Sequence, residues 1–381
     1  MLIVLTSPDA LLINGAINQK LVDVLKQARE KGYPTGLVSN HKKPDWFDAT
    51  FAGTQVQFVR EYGRQNGDFV KANAETFSLK PFDVLVLATK ADDVQMGKNS
   101  GAVLVAGGWS SDKQVAALGV QVATPDDLSK VIELSAEWPG KWWFAGDAAF
   151  YNVRALSDLS SKKYGLTHTQ QAFAHRLTAT VKNGGVKLNA LLAVTARSLL
   201  MDGFGERENL LWGVYPSSSS ANDDSEVLSD FCHRLRTTVS RVQMAKRGVP
   251  LFIRHTASSK RSAGGGGDRT NPTEQILTLH LNPHYKKSDR LVGKNVVVLD
   301  DCTTYGVSFG VAAAFLRAAG AASVTGIALG KFGSQLRDYE IEISGDPFMP
   351  VKNGDFKILK SESMAGVSNS EAQSSLQNLI D

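Results

Sequence analysis

The chain has 381 residues, 43% of them hydrophobic and 21% charged, with a formal net charge of +4. This length and balance supply apolar mass for one large domain or two ordinary ones, and they exclude a disordered or fibrous chain. The small positive charge permits a phosphate ligand without indicating nucleic acid, and two cysteines, Cys232 and Cys302, exclude a disulfide framework and a cysteine-bound metal cluster.

The opening "MLIVLTSPDALLING" lacks a basic leader and meets Pro8 and Asp9 early, so a signal peptide is not expected. No apolar run reaches the roughly 20 residues of a membrane helix. These features together predict a cytoplasmic protein with no membrane partner. Residues 2–5 read as a buried strand, and "AINQKLVDVLKQAREKG" as a helix with Leu21, Val22, Val24 and Leu25 at helical spacing and Gly32 as its stop. "PTGLVSN", residues 82–89, 101–108 and 120–124 supply further strands, with helical stretches such as "PDDLSKVIELSA" between them. Strand alternating with helix predicts an α/β fold built on a parallel sheet covered on both faces.

Residues 138–168, with "WPGKWWF" and "SDLSSKKYG", break the rhythm and are expected to be a junction after a first domain, 1–137. A second domain is expected over 169–337: helices near 170–182 and 187–202, a strand at 209–216, a helix near 224–247 and a strand at 249–254. The stretch 255–275 has no apolar period, four consecutive glycines, and Lys260, Arg261 and Arg269, which predicts a long functional or mobile loop. A strand at 295–299, a helix at 308–319 and the strand "SVTGIALG" follow. Residues 338–381 read as an extension holding a strand pair and a terminal helix or tail.

The chemistry concentrates in "NVVVLDDCTTYGVS", residues 295–308. Carboxylates at the end of a parallel strand lie where such sheets place ligands, and ionised Asp300 and Asp301 only accept hydrogen bonds, which suits a sugar diol or a hydrated metal. The loop behind them opens a helix whose first N–H groups attract phosphate. Thr304 and Ser308 offer hydroxyls there, and Gly306 allows close backbone approach. A diol site next to a phosphate site describes a ribose 5-phosphate. Cys302 reads as a small residue in a tight loop rather than a nucleophile.

This stretch resembles the phosphoribosyl-pyrophosphate (PRPP) signature of type I phosphoribosyltransferases, and residues of roughly 170–335 resemble the ComF-like branch more loosely. The resemblance implies that Asp300 and Asp301 hold the ribose hydroxyls and contact Mg2+ through water, while Thr303, Thr304, Tyr305, Gly306, Val307 and Ser308 cradle the 5-phosphate. Tyr305 stands where the family has a second threonine. Ser217, Ser218, Ser219 and Ser220, in "VYPSSSSAND", fall at the family's pyrophosphate loop, although a solvated serine loop reads equally well from the residues alone. Lys260 and Arg261, with Arg269, fall where the family carries a flexible lid, a basic loop of no special role being the alternative. The implied reaction is Mg2+-assisted glycosyl transfer at ribose C1, with Asp300, Asp301, Lys260 and Arg261 as the catalytic set. The acceptor-binding hood is expected in 338–381 or in the junction.

Residues 1–137 resemble a haloacid-dehalogenase-like (HAD) phosphatase domain without a cap. The family's two acids are replaced by Thr6 and Pro8, and Thr89 replaces the first acid of its magnesium motif. Asp93 matches the last acid, Ser39 the phosphate-contacting hydroxyl, and Lys71 the basic residue. Without an attacking carboxylate the family's route is closed, so the resemblance implies a domain that scaffolds, binds a protein partner, forms a homo-oligomer or senses a ligand. The expected architecture is two doubly wound, Rossmann-like domains, HAD-like and then phosphoribosyltransferase-like. Three functions stay open: a phosphoribosyltransferase, a non-catalytic sensor of a phosphoribosyl metabolite or nucleotide, and an effector or toxin acting on nucleotides in a stress or defence system.

Overall fold

The computed structural model describes residues 1–138, 140, 142–160, 167–184, 186–240, 248–259 and 268–380. The chain divides into two compact units, the first made of residues 1–140, 185–206 and 233–246, the second of 141–184, 207–232 and 247–381.

In the first unit the strands Ile3–Thr6, Thr35–Ser39, Val84–Ala88 and Val103–Gly107 are buried along their whole length. Uninterrupted apolar strands of this kind need cover on both faces, which a parallel sheet with crossover helices provides. The sheet order is Gln57–Arg60, Thr35–Ser39, Ile3–Thr6, Val84–Ala88, Val103–Gly107, Val120–Val122, with every pairing parallel. Taken in chain order, this is the doubly wound arrangement 3-2-1-4-5-6, which reverses direction beside Ile3–Thr6. Helix Gln19–Glu30 starts where the Asn18 side chain accepts Leu21 N–H, and it buries Leu21, Val22, Val24, Leu25 and Ala28. Helix Pro125–Glu137 starts with a reciprocal Thr124–Asp127 capping box.

The second unit holds a mixed sheet in the order Leu210–Val214, Asn295–Thr303, Ser323–Lys331, Asn152–Asp158, Phe144–Asp147, Val367–Ser368. The first four strands are mutually parallel, and the last two join antiparallel. Phe252–Arg254 pairs separately with Leu279–Leu281, and Gln335–Ile343 forms a long antiparallel pair with Phe356–Ala365. The architecture is therefore α/β, with one all-parallel six-stranded sheet and one mixed six-stranded sheet.

Two boundaries differ from the expected ones. Residues 138–168, expected as a junction, supply two strands of the second sheet, and Asn152–Asp158 lies inside it beside Ser323–Lys331. Arg154, which breaks the apolar pattern of "NVRALSD", directs its guanidinium to Asp147 on the neighbouring strand at 2.7 Å. Helix Val186–Met201, expected in the second domain, groups with the first unit. There Arg197 pairs with Asp83 at 2.6 Å and donates to the Trp138 carbonyl, while Trp138 Nε1 donates to Ser198. These bonds join residues more than fifty positions apart, which a pattern read along the chain does not register.

One helix positions the candidate site. Val307–Ala318 lies so close to the second sheet that a Cβ on Gly326 would sit 2.3 Å from the Phe309 ring, and one on Gly310 would sit 2.8 Å from Tyr339. Gly326→Ala is expected to lower stability by about 1–3 kcal/mol, the range for overpacking a filled core. Chemical denaturation measures it, and an unchanged midpoint would show that the helix is not seated as described.

Candidate functional site

The apolar part of Asn295–Thr303, residues 296–299, is buried, while Asp300, Asp301 and Cys302 retain partial exposure. The strand thus surfaces where its carboxylates begin. Asp300 Oδ2 accepts a 2.6 Å hydrogen bond from Ser308 Oγ, and Asp300 Oδ1 accepts from Asp301 N–H. Asp301 Oδ1 accepts from Cys302 N–H. Burial first, then the Asp301 charge, push the Asp300 carboxyl well above the usual carboxylate range, and a side-chain hydrogen bond with Asp301 adds to this. The Ser308 hydroxyl and the Asp301 amide oppose the shift without cancelling it. Although Asp300 keeps some contact with solvent, protein surrounds its carboxyl closely enough that desolvation prevails.

The loop behind the acids is braced from several directions. Gly306 adopts φ +80°, and a Cβ there would lie 2.5 Å from Leu336, so both backbone and space require glycine. Gly306 N–H donates to Thr303 Oγ1, Phe332 N–H to the Thr303 carbonyl, and Arg337 N–H to the Tyr305 carbonyl. Beneath it the buried Lys331 amine donates to the carbonyls of Thr304, Gly333 and Gln335. Burial pushes that amine down to about 8, opposed by Asp158, yet three carbonyls match the three donors of the ammonium form. Lys331 therefore positions the loop from inside.

These contacts sort the expected phosphate residues. Ser308 donates its hydroxyl proton to Asp300, whereas Thr303 Oγ1 accepts from Gly306 N–H and so is tied to the loop by a lone pair. Thr304 and Tyr305 side chains are partly exposed and make no hydrogen bond among the described residues. Val307 is buried and offers only its backbone, at a helix start where the first N–H groups have no intrahelical acceptor.

The serine loop leaves the neighbouring strand, Leu210–Val214. Val214 pairs with Leu299 and Tyr215 N–H donates to the Leu299 carbonyl, so the loop emerges level with Asp300. Ser217 donates to Glu226, and Ser220 Oγ accepts from Asn222 N–H. Ser218 and Ser219 hydroxyls make no hydrogen bond among the described residues. Lys260 and Arg261 lie outside the described residues, and Arg269 is exposed.

In the first unit, Thr6 and Ser39 end adjacent parallel strands and Thr89 follows Val84–Ala88, so all three reach the carboxyl edge of that sheet. Pro8 opens a short 3-10 turn there. Thr6 Oγ1 donates to the Leu87 carbonyl, Ser39 Oγ accepts from His41 N–H, and Thr89 Oγ1 is buried with no partner among the described residues. Asp93 is wholly buried. It accepts from Arg64 at 2.6 Å, from Ser7 Oγ, and from the Thr89 and Lys90 amides at the start of helix Ala91–Ser100. A guanidinium thus occupies the acid that the resemblance assigned to magnesium. Lys71 does not join this group: it is exposed and paired with Asp68.

Sequence reading missed Lys331, Arg64 and the buried Arg254. Each is an isolated cation in an ordinary stretch, and only the fold supplies its partners. No family model, curated protein or solved structure matches this chain.

Two measurements follow from these pairs. Arg64→Met or Asp93→Asn alone is expected to cost about 3–5 kcal/mol, because each strands a buried charge or polar partner. The double variant should recover part of that loss in a denaturation cycle, and strictly additive losses would dissolve the pair. For Asp300, the folded state holds its proton at higher pH than the unfolded chain does. Stability therefore falls as pH rises from about 4 through the raised value. Asp300→Asn escapes this penalty and should melt higher at pH 8, by about 2–4 °C for each kcal/mol relieved. The gain should fade towards pH 4, and a lower melting temperature at every pH would contradict the assignment.

Proposed function

We propose that the second unit binds PRPP and transfers its phosphoribosyl group to a nitrogen acceptor. The observation that carries this reading is the adjacency of Asp300 and Asp301, half-exposed at a parallel strand end, to a glycine-bearing loop that opens a helix. A raised pKa lets the Asp300 carboxyl both accept from and donate to a vicinal diol. The Thr304 hydroxyl and the N–H groups from Val307 onward suit the 5-phosphate. The serine loop, level with Asp300, suits the pyrophosphate.

In the reaction the C1–oxygen bond breaks with its electron pair leaving on pyrophosphate, and a C1–nitrogen bond forms. Asp300 and Asp301 fix the ring by its hydroxyls, and the negative charge on the pair offsets the positive charge that develops at C1. The acceptor proton goes to solvent or a base on the acceptor side. No group of three or more acidic, histidine or cysteine side chains gathers into a metal cage among the described residues. Two carboxylates alone fit Mg2+ in its habit of keeping waters and ligand phosphates around it. Asp300 and Asp301 would hold it through those waters, and its charge would ease the departure of pyrophosphate.

A second reading, binding without turnover, draws on Tyr305 in the phosphate loop and on the donation of the Ser308 hydroxyl to Asp300 rather than to a ligand. For the first unit, the reading is a non-catalytic HAD-like domain. Its doubly wound order supports this, as do Thr6 and Pro8 in place of acids and Asp93 locked to Arg64.

Calorimetric titration with PRPP and Mg2+ tests the proposal. Saturable binding is expected, weakened at least about tenfold (1.4 kcal/mol) in the Asp300→Asn, Asp301→Asn double variant. Unchanged affinity in that variant would remove the pair from the site. Pyrophosphate release in the presence of a pool of nitrogenous acceptors marks the transferase, and its absence with binding intact marks the sensor.

A further inference from the structure

The Ser217–Ser219 loop is held by a side chain that takes no part in the reading above. Arg254, at the end of strand Phe252–Arg254, is only 5% exposed. Its guanidinium donates from Nε to the Ser217 carbonyl at 2.6 Å and from Nη2 to the Pro216 carbonyl at 3.2 Å. It also donates to Thr278 Oγ1 and to Gln275 Oε1, which accepts the Tyr215 hydroxyl as well. The Arg254 backbone is fixed too, because Asn222 accepts its N–H and donates to its carbonyl. A third loop carbonyl, that of Ser218, accepts from Ser258 N–H.

These bonds set the direction of the loop amides. No peptide among the described residues is cis, so each carbonyl of this loop and the N–H that follows it point opposite ways. With the carbonyls of Pro216, Ser217 and Ser218 drawn inward, the N–H groups of Ser217, Ser218 and Ser219 turn outward, on the side where Ser217 and Ser219 are exposed. None of these three donates to an acceptor among the described residues, whereas Ser220 N–H closes the turn onto the Ser217 carbonyl. Successive outward N–H groups form a concavity suited to an anion.

We propose that Arg254 is the positioning residue of a pyrophosphate subsite formed by the Ser217, Ser218 and Ser219 amides, acting through the loop carbonyls rather than by touching the ligand. The proposal rests on the phosphoribosyl reading and specifies its leaving-group side. A lysine cannot replace the guanidinium, because four acceptors in a fixed plane call for the arginine fork.

The test uses the full chain and two probes, inorganic pyrophosphate with Mg2+ and ribose 5-phosphate, titrated into wild type, Arg254→Gln and Arg254→Lys, with thermal melts alongside. Both variants are expected to lose about tenfold or more in pyrophosphate affinity, with ribose 5-phosphate held within about twofold. Should Arg254→Gln fail to fold, Gln275→Leu and Thr278→Val each remove one acceptor and should show a smaller loss confined to pyrophosphate. Unchanged pyrophosphate affinity, an equal loss for both probes, or full rescue by lysine would overturn the positioning role and leave the ribose site standing. Wild type that binds ribose 5-phosphate but not pyrophosphate would remove the subsite alone. Wild type that binds neither would remove the phosphoribosyl reading and this inference with it.

Discussion

Two carboxylates in succession at the end of a buried strand repel each other, and the local structure is arranged around that repulsion. Asp300 is the enclosed member, and its charge is opposed by burial and by Asp301 together. Two donors answer that charge, the Ser308 hydroxyl from the first turn of helix Val307–Ala318 and the Asp301 amide. That helix can approach only because Gly326 and Gly310 leave no side chain in the way. The charge pair, the glycines and the helix are therefore one construction, and loosening any part of it moves the loop that lies between them.

The loop is rigid from beneath and open above. Lys331 gathers three carbonyls from two segments, and Phe332 and Arg337 amides take two more, so little backbone freedom remains to be lost on binding. Preorganisation of this kind lets a ligand interaction appear as affinity instead of being absorbed by ordering. Arg254 does for the serine loop what Lys331 does for this one. In both, a buried cation takes main-chain carbonyls and so fixes the backbone of a loop.

Much of this was legible in the sequence where the signal is local. Apolar runs gave the strands, and an acidic pair followed by a glycine loop gave the candidate site. Asn152–Asp158 was not legible, because Asn152, Arg154, Ser157 and Asp158 make a sheet strand look like a polar turn. Its burial comes from the neighbour Ser323–Lys331, more than 160 residues away. Helix Val186–Met201 was readable as a helix but not as a member of the first unit, since that depends on Arg197 meeting Asp83 and Trp138. The supporting cations Lys331, Arg254 and Arg64 fall outside any motif. A lysine at a strand end or an arginine before a loop is ordinary until the carbonyls or carboxylate it serves are brought to it by the fold.

The two units make an instructive contrast in polar satisfaction. Each presents the carboxyl ends of parallel strands, the usual ligand position of such sheets. In the first unit most of that edge is turned upon itself: Asp93 is filled by Arg64, Ser7 and two amides, and Thr6 donates to the Leu87 carbonyl, while Thr89 Oγ1 is left without a partner among the described residues. In the second, the Thr304 and Tyr305 hydroxyls, the Ser218 and Ser219 hydroxyls and three serine amides remain unengaged among the described residues, while Lys331 and Arg254 behind them are bound to main-chain carbonyls. Polar groups held rigid and left unpaired keep their bonding capacity for a ligand, whereas a buried network already closed must be broken before it can bind anything. By that criterion the second edge offers the groups that the proposed phosphoribosyl site would use, whereas at the first edge the acid Asp93 is already closed onto Arg64.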